Sequence, residues 1–233
     1  MNDLIDTRSK LLLGDDFNLI KNFKIVVIGL GGVGSIVPLS LVRSGVKNLL
    51  LIDGDKVDAT NLNRQMAYFS QDVGHFKSEV LKEKLLEIRE DLNLEEKHIF
   101  IDKETDFSFL KGFDYIVDCI DDIEAKVLLA KFAINNDISL IASMGTGNRL
   151  DPSKLIITRL DKTSGDPLAK KFRYLLRKEN VDLKKINVVA SLEEPLVSGQ
   201  VVSSMAFVPN AAGLLMSSYV IKELLRRYKD EVR

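Results

Sequence analysis

Three glycines, Gly29, Gly31 and Gly34, stand at fixed intervals in "IVVIGLGGVGS", where an apolar run passes into an amphipathic one. A strand that ends in such a loop and turns into a helix aims backbone N–H groups at an anion. The missing side chains let a phosphate group approach closely. Asp53 closes the next apolar run, "LLLID", at the position from which a carboxylate can accept a ribose hydroxyl. These residues suit a nucleotide. By themselves they do not separate a redox dinucleotide from ATP.

The residues beyond Asp53 bear on that choice. Asn61, Arg64 and Gln65 lie in "NLNRQ", and Lys77 opens a helical stretch in "GHFKSEV". Arginine can fork onto phosphate oxygens and lysine supplies a point charge, so the pair suits a triphosphate whose charge needs neutralising in a fixed geometry. Hydride transfer asks for neither. Asp121, at the end of the apolar run in "VDCIDD", is placed to hold a Mg2+ bridging the phosphates.

Strands and helices must alternate to bring these groups together, and the pattern supplies them. Apolar, β-branched runs predict strands over 24–29, 49–53, 99–102, 115–118 and 139–144. Helical periodicity covers 33–44, 77–92 and 123–135. The expected fold is α/β: a doubly wound, mainly parallel Rossmann-like sheet with ligands at the carboxyl ends of its strands. After Met144 the rhythm changes. "KLIITRL" reads as a strand, 167–178 as a basic helix, and 186–208 as short strands and loops around Pro195 and Gly199. A last amphipathic helix is expected from about Asn210, read as its N-cap. The 233 residues are expected to form one domain, with 1–145 as the nucleotide-binding part and 146–233 as a C-terminal strand/helix extension for the substrate.

Composition narrows the partners. The apolar runs fall short of the ~20 residues that span a bilayer, and the polar start "MNDLIDTRSK" lacks a leader pattern, so the expected setting is the cytoplasm. One cysteine excludes an internal disulfide and a multi-cysteine zinc site. His75 and His98 are too few for a His-rich metal centre, which leaves a hard cation held by carboxylate and phosphate. Between Lys154 and Lys185 ten Lys or Arg face four acids, although the whole chain carries a net charge of −1. Such a stretch can attract a polyanion or simply be a solvated face.

In order and spacing, "GLGGVGS", Asp53-Gly54-Asp55, "NLNRQ", Lys77 and "DCIDD" resemble the ubiquitin-activating-enzyme superfamily, the ThiF/MoeB/HesA-type adenylating proteins. The resemblance spans about residues 5–145 and implies ATP with Mg2+. Gly29, Gly31, Gly32, Gly34, Asp53, Asp55 and Asn61 would line the nucleotide site, with Asp53 on the ribose. Arg64, Gln65 and Lys77 would hold the phosphates, and Asp121 the metal; Arg64, Lys77 and Asp121 would be the catalytic set. "TRSKLLLG" is similar to the segment from which an arginine, here Arg8, reaches the partner's ATP in a homodimer. A monovalent cation in the site is left open.

Farther on, "DKTSGDPLAKKFRYLLRK" (161–178), "VVASLEEPLVSG" (188–199) and "FVPNAAGLLMSSYVIKELL" (207–225) resemble the tRNA threonylcarbamoyladenosine dehydratase branch. That branch acts on a modified adenosine beside the anticodon, using ATP to activate its threonyl carboxylate, which closes on its own carbamoyl nitrogen with net loss of water. The implied substrate is tRNA, with Lys170, Lys171, Arg173 and Arg177 on its phosphates. Cyclisation within one substrate needs activation and proximity but no enzyme nucleophile, so Cys119 is expected to be a structural thiol. Some relatives carry a cysteine where this chain has Val188-Val189, and often an aromatic where it has Ala190; the first departure weighs against a sulfur-transfer partner. Two alternatives remain: an adenylating activator of a ubiquitin-like or sulfur-carrier protein, and a nucleotide-binding interaction module without turnover. A dehydrogenase fits worst, because no catalytic Lys/Tyr or His pair is recognisable.

Overall fold

Apolar alternation along two neighbouring strands shows how the chain divides its core. In the computed structural model, which describes residues 2–197 and 202–231, strand β1 (Lys24–Ile28) sends Ile25 and Val27 to one face of a sheet and Val26 and Ile28 to the other. All four are buried, as expected for a strand covered on both sides. Its parallel neighbour β2 (Asn48–Ile52) does the same. The remaining strands are β3 (Asn93–Lys97), β4 (Tyr115–Asp118), β5 (Ser139–Ser143), β6 (Leu155–Arg159) and β7 (Asn187–Ser191). The sheet order is β3-β2-β1-β4-β5-β7-β6, with every pairing parallel except β6 on β7.

On one face lie α3 (Ile36–Arg43), α4 (Lys77–Ile88) and α7 (Phe207–Glu231), packed through Leu41, Leu81, Met216 and Val220. On the other, α5 (Ile123–Asn135) and α6 (Pro167–Lys178) bury Leu129, Phe172 and Leu176. Two helices precede the sheet, α1 (Asn2–Leu13) and the short α2 (Phe17–Ile20). Buried Asp6 of α1 receives Arg89 Nη1 at 3.1 Å, pinning α1 to the end of α4.

The fold is the doubly wound α/β sheet read from the sequence. The chain reverses sheet direction between β1 and β4, and register sets what meets there. Ile28 pairs with both Ile52 and Asp118, and Asp118 pairs with Ala142. Gly29, Asp53, Cys119 and Ser143 therefore stand next along their strands at one edge, the place for ligands in open α/β sheets.

Two expected elements differ. The strand expected over 99–102 is loop, and the edge strand is instead the polar "NLEEK" of β3, held by β2. The last helix begins at Phe207, so Asn210 is inside it rather than at its cap. Asn210 Nδ2 donates to Ala206 O and to Arg64 O at 2.8 Å, tying α7 to the loop after β2. Pro209 is tolerated because a first-turn residue needs no N–H donor. Gly199 of the 186–208 stretch lies outside the described residues.

Candidate active site

At the carboxyl edge opens a cleft of about 810 Å³. Its floor is the glycine turn. Gly29 has φ +83°, and a side chain there would put Cβ 2.8 Å from the Cys119 carbonyl. A Cβ on Gly34 would overlap the Gly29 carbonyl oxygen, so the turn closes only with glycine at both places. Gly31 and Gly32 border the open cleft.

Asp53 props this turn from β2. Its Oδ2 accepts Leu30 N–H at 2.6 Å and its Oδ1 accepts Asp55 N–H at 2.7 Å. Burial pushes its pKa up, against the pull of Lys77 and the two backbone donors. Each carboxylate oxygen keeps a second lone pair for a hydroxyl. Lys77, first residue of α4 and only 5% exposed, lays Nζ 2.8 Å from Asp55 Oδ2. The Asp55 side chain is 56% exposed, so an anion in the cleft could take over the ammonium at little cost.

The loop after β2 brings the other phosphate-binding candidates. Asp58 and Asn61 form a reciprocal cap, with Asp58 N–H donating to Asn61 Oδ1 at 3.2 Å, so half of the Asn61 amide is already engaged. Arg64 Nη1 donates to Thr60 O at 2.9 Å and Asn63 Oδ1 at 3.0 Å, leaving the rest of its fork at the cleft. Gln65 is 3% exposed and its Oε1 has no hydrogen-bond partner among the described residues. A buried orphan acceptor beside the glycine turn is costly unless something from the cleft satisfies it. Tyr68, which the sequence reading missed, rivets the site: its hydroxyl donates to Leu30 O at 2.9 Å and also lies 3.4 Å from Lys77 O.

Beyond β4 the last two acids of "DCIDD" part company. Asp122 caps α5 by accepting Ala125 N–H at 2.8 Å. Asp121 faces the cleft and its carboxylate makes no hydrogen bond or ion pair among the described residues. Beneath this loop Lys126 donates to Ile120 O at 2.9 Å and pairs with Asp118 Oδ1 at 3.0 Å. Cys119 packs under the glycine turn, and desolvation pushes its thiol well above the ordinary range. A nucleophilic thiolate is disfavoured there. Among the described residues no three His, Cys, Asp or Glu groups could together hold a metal, and His98 stacks on Phe76 at 4.2 Å.

The C-terminal extension forms the far wall. Asp166 Oδ1 caps α6 through Ala169 N–H at 2.8 Å, while its Oδ2 accepts Gly145 N–H at 3.0 Å and faces Arg149. Leu168, in the first turn of α6, lines the same cleft as Gly31, Lys77 and Asp121. Lys170, Lys171 and Arg177 are exposed on the outer side of this helix; Arg173 is half-buried and bonded to Thr163. Arg8 is exposed on α1 and does not line its own chain's cleft.

A protein-family profile described as the ThiF family matches residues 8–232. The chain belongs to the ThiF family. Among ThiF-like relatives it is 37% identical to the tRNA threonylcarbamoyladenosine dehydratase of Bacillus subtilis, over 97% of this chain and 98% of that one. It is also 37% identical to the Haemophilus influenzae protein of the same name, over 73% of this chain and 66% of that one. The crystal structure of Escherichia coli tRNA N6-threonylcarbamoyladenosine dehydratase in complex with ATP is similar in fold to this chain, with a TM-score of 0.91 and 28% identity. It covers 96% of this chain and 95% of that one.

Proposed function

We propose that this ThiF-family chain uses ATP to activate the threonyl carboxylate of threonylcarbamoyladenosine in tRNA and cyclises it with net loss of water. One observation carries the reading: the first turn of the basic helix α6 lines the same cleft as Gly31, Lys77 and Asp121. A polyanion seated on α6 is thereby brought beside a nucleotide-binding turn. The names of the relatives fit that arrangement.

The residues fit ATP. The buried Lys77 ammonium and the side-chain-free edge at Gly31 and Gly32 make an anion cradle at a helix N-terminus, and the orphaned Gln65 Oε1 beside them can accept from a hydroxyl or amine of the nucleotide. ATP would supply the phosphorus that the substrate carboxylate attacks, with the bridging P–O bond on its far side breaking and the remainder of the nucleotide leaving. Arg64 and Lys77 neutralise the charge that collects on the phosphates, and Asp53 orients the ribose. Asp121, at the cleft without a protein partner among the described residues, would hold Mg2+ in this reading. When the carbamoyl nitrogen closes on the activated carbonyl, one carboxylate oxygen leaves with the phosphorus-bearing fragment and the nitrogen loses its proton. Every atom of the new ring comes from the substrate, so no carrier thiol is needed.

Lys170, Lys171, Arg173 and Arg177 form the tRNA-facing surface in this reading, and the protein works in the cytoplasm as a homodimer. The exposed Leu4, Leu11 and Leu12, which share a face of α1 with Arg8, suit burial against a second subunit. Residues 1–145 and 146–233 act as one domain. The test is incubation with ATP, Mg2+ and tRNA carrying threonylcarbamoyladenosine, followed by nucleoside mass analysis. Loss of one water is the expected result. Pyrophosphate exchange stimulated by a Gly-Gly-ending carrier protein, with tRNA unchanged, would favour a protein activator instead.

A further inference from the structure

Tyr174 has an unusual setting. It is 55% exposed on the outer side of α6, and its hydroxyl makes no hydrogen bond among the described residues. Its helix neighbours at −4, −3, +3 and +4 are Lys170, Lys171, Arg177 and Lys178, all cations. No acid occurs between Pro167 and Lys178, and Lys178 Nζ lies 4.5 Å from the Tyr174 ring centroid. Residues three and four apart are surface neighbours on a helix, so the ring sits inside a frame of positive charge.

We infer that Tyr174 is a stacking platform for an unpaired base of the bound RNA. The inference rests on the tRNA reading above and deepens it, by assigning the outer face of α6 to a single-stranded loop rather than a paired stem. Proteins that read RNA loops combine cations on the phosphates with an aromatic ring under a splayed base. A paired stem keeps its bases stacked inside and offers such a ring nothing. The helix also connects directly to the chemistry. Leu168, which lines the cleft, precedes Tyr174 by six residues, about 9 Å along the axis at the helical rise. A base held on Tyr174 and one delivered to the cleft can thus belong to the same loop.

A basic helix with an aromatic can also lie on an anionic membrane, but such a helix must have its apolar face free. Here Ala169, Phe172 and Leu176 are buried in the core against the sheet. From Lys170 to Lys178 the exposed positions of the helix are Lys170, Lys171, Tyr174, Arg177 and Lys178, the cations and the ring alone. Charge complementarity therefore favours RNA.

The chain contains no tryptophan, so Tyr174→Trp installs a single indole reporter at this place. The probes are an anticodon stem-loop RNA, a fully paired duplex of its stem, and phosphatidylserine vesicles. Indole emission should be quenched by the stem-loop and much less by the duplex. In filter binding, Tyr174→Ala should weaken stem-loop affinity about tenfold while Tyr174→Phe stays within about twofold. The slope of log Kd against log salt should not change in Tyr174→Ala, because that slope counts phosphate contacts. A bound stem-loop that leaves the indole unquenched would overturn the inference and leave the tRNA reading standing. An emission change with vesicles and none with RNA would transfer the face to a membrane. Failure of the unmodified protein to bind the stem-loop at all would overturn the stacking role, while the tRNA reading stands or falls on the nucleoside mass analysis above.

Discussion

Lys126 and Asp118 form an ion pair of 3.0 Å in which neither side chain is exposed, directly beneath the loop that carries Asp121. Lys126 also donates to Ile120 O, and Asp118 Oδ1 accepts Ile120 N–H at 3.0 Å, so the pair holds both backbone polar groups of one loop residue. Burial pushes the Asp118 pKa up and the ammonium pulls it back. Lys126→Met should leave a buried carboxylate without compensation and cost about 3–5 kcal/mol in urea unfolding. If the protein stays folded, turnover should fall more than ATP affinity, because the displaced group is Asp121 rather than the glycine turn. A variant that unfolds like the unmodified chain would show the pair to be unimportant to the loop.

The neighbouring acids allow a sharper contrast. Asp121 makes no hydrogen bond or ion pair among the described residues, whereas Asp122 caps α5. Asp121→Ala should abolish turnover at saturating Mg2+ and change stability by no more than about 0.5 kcal/mol. Asp122→Ala should lower stability by about 1 kcal/mol and keep most of the activity. Steady-state kinetics and urea unfolding on both variants decide it, and full activity in Asp121→Ala would end the metal assignment.

The contrast also marks what the sequence made legible. Gly29, Gly34, Asp53 and Lys77 could be read because each satisfies a local requirement: a turn with no room for Cβ, a strand end, a helix start. Their convergence followed from strand order. What hydropathy misplaced was the edge of the sheet. β3 is polar because an edge strand is held by one neighbour's backbone, while Ile99, Phe100 and Ile101 are apolar because they wall the cleft, with the Phe100 ring over Gly54. Tyr68, Asn210 and the Asp166–Arg149 contact join residues far apart in the chain, and no periodicity announces such partners.

Cys119 provides a test of mechanism class. Its thiol lies under the glycine turn with its pKa pushed well up by desolvation and by Asp118. Cys119→Ser should retain most tRNA-dependent turnover, since the ring closes within the substrate. Loss of all turnover in a folded, ATP-binding Cys119→Ser protein would call for a covalent carrier step instead.

Acid sensitivity should be traceable to the end of α4. Hydrogen bonds from Arg89 and Lys47 hold Asp91 at about 2, below its ordinary 3.8. A depressed carboxylate contributes stability that is present above the unfolded value and is lost as pH falls through the folded one. The contribution of Asp91 should therefore be intact above about pH 4 and disappear between there and pH 2. Asp91→Asn should lower stability at pH 7 and flatten the acid limb of the urea midpoint plotted against pH. An unchanged acid limb would show that Asp91 pairs equally well in the unfolded chain.

A shared site between subunits makes the strongest demand on the proposal. Arg8 lies on the outer face of α1 with Leu4, Leu11 and Leu12, while Asp6 on the inner face is locked to Arg89. The helix is thus fixed to its own subunit on one side and offers an arginine among exposed leucines on the other. Arg8→Ala and Lys77→Ala subunits should each be inactive alone. In a mixed dimer the Arg8→Ala subunit keeps its own Lys77 and receives Arg8 from its partner, so one of the two sites is complete. Random exchange should then restore about a quarter of the unmodified rate. Subunit exchange can be followed by native mass spectrometry in the same sample. Exchange without recovered activity would confine each site to a single chain and leave the leucine face of α1 to another role.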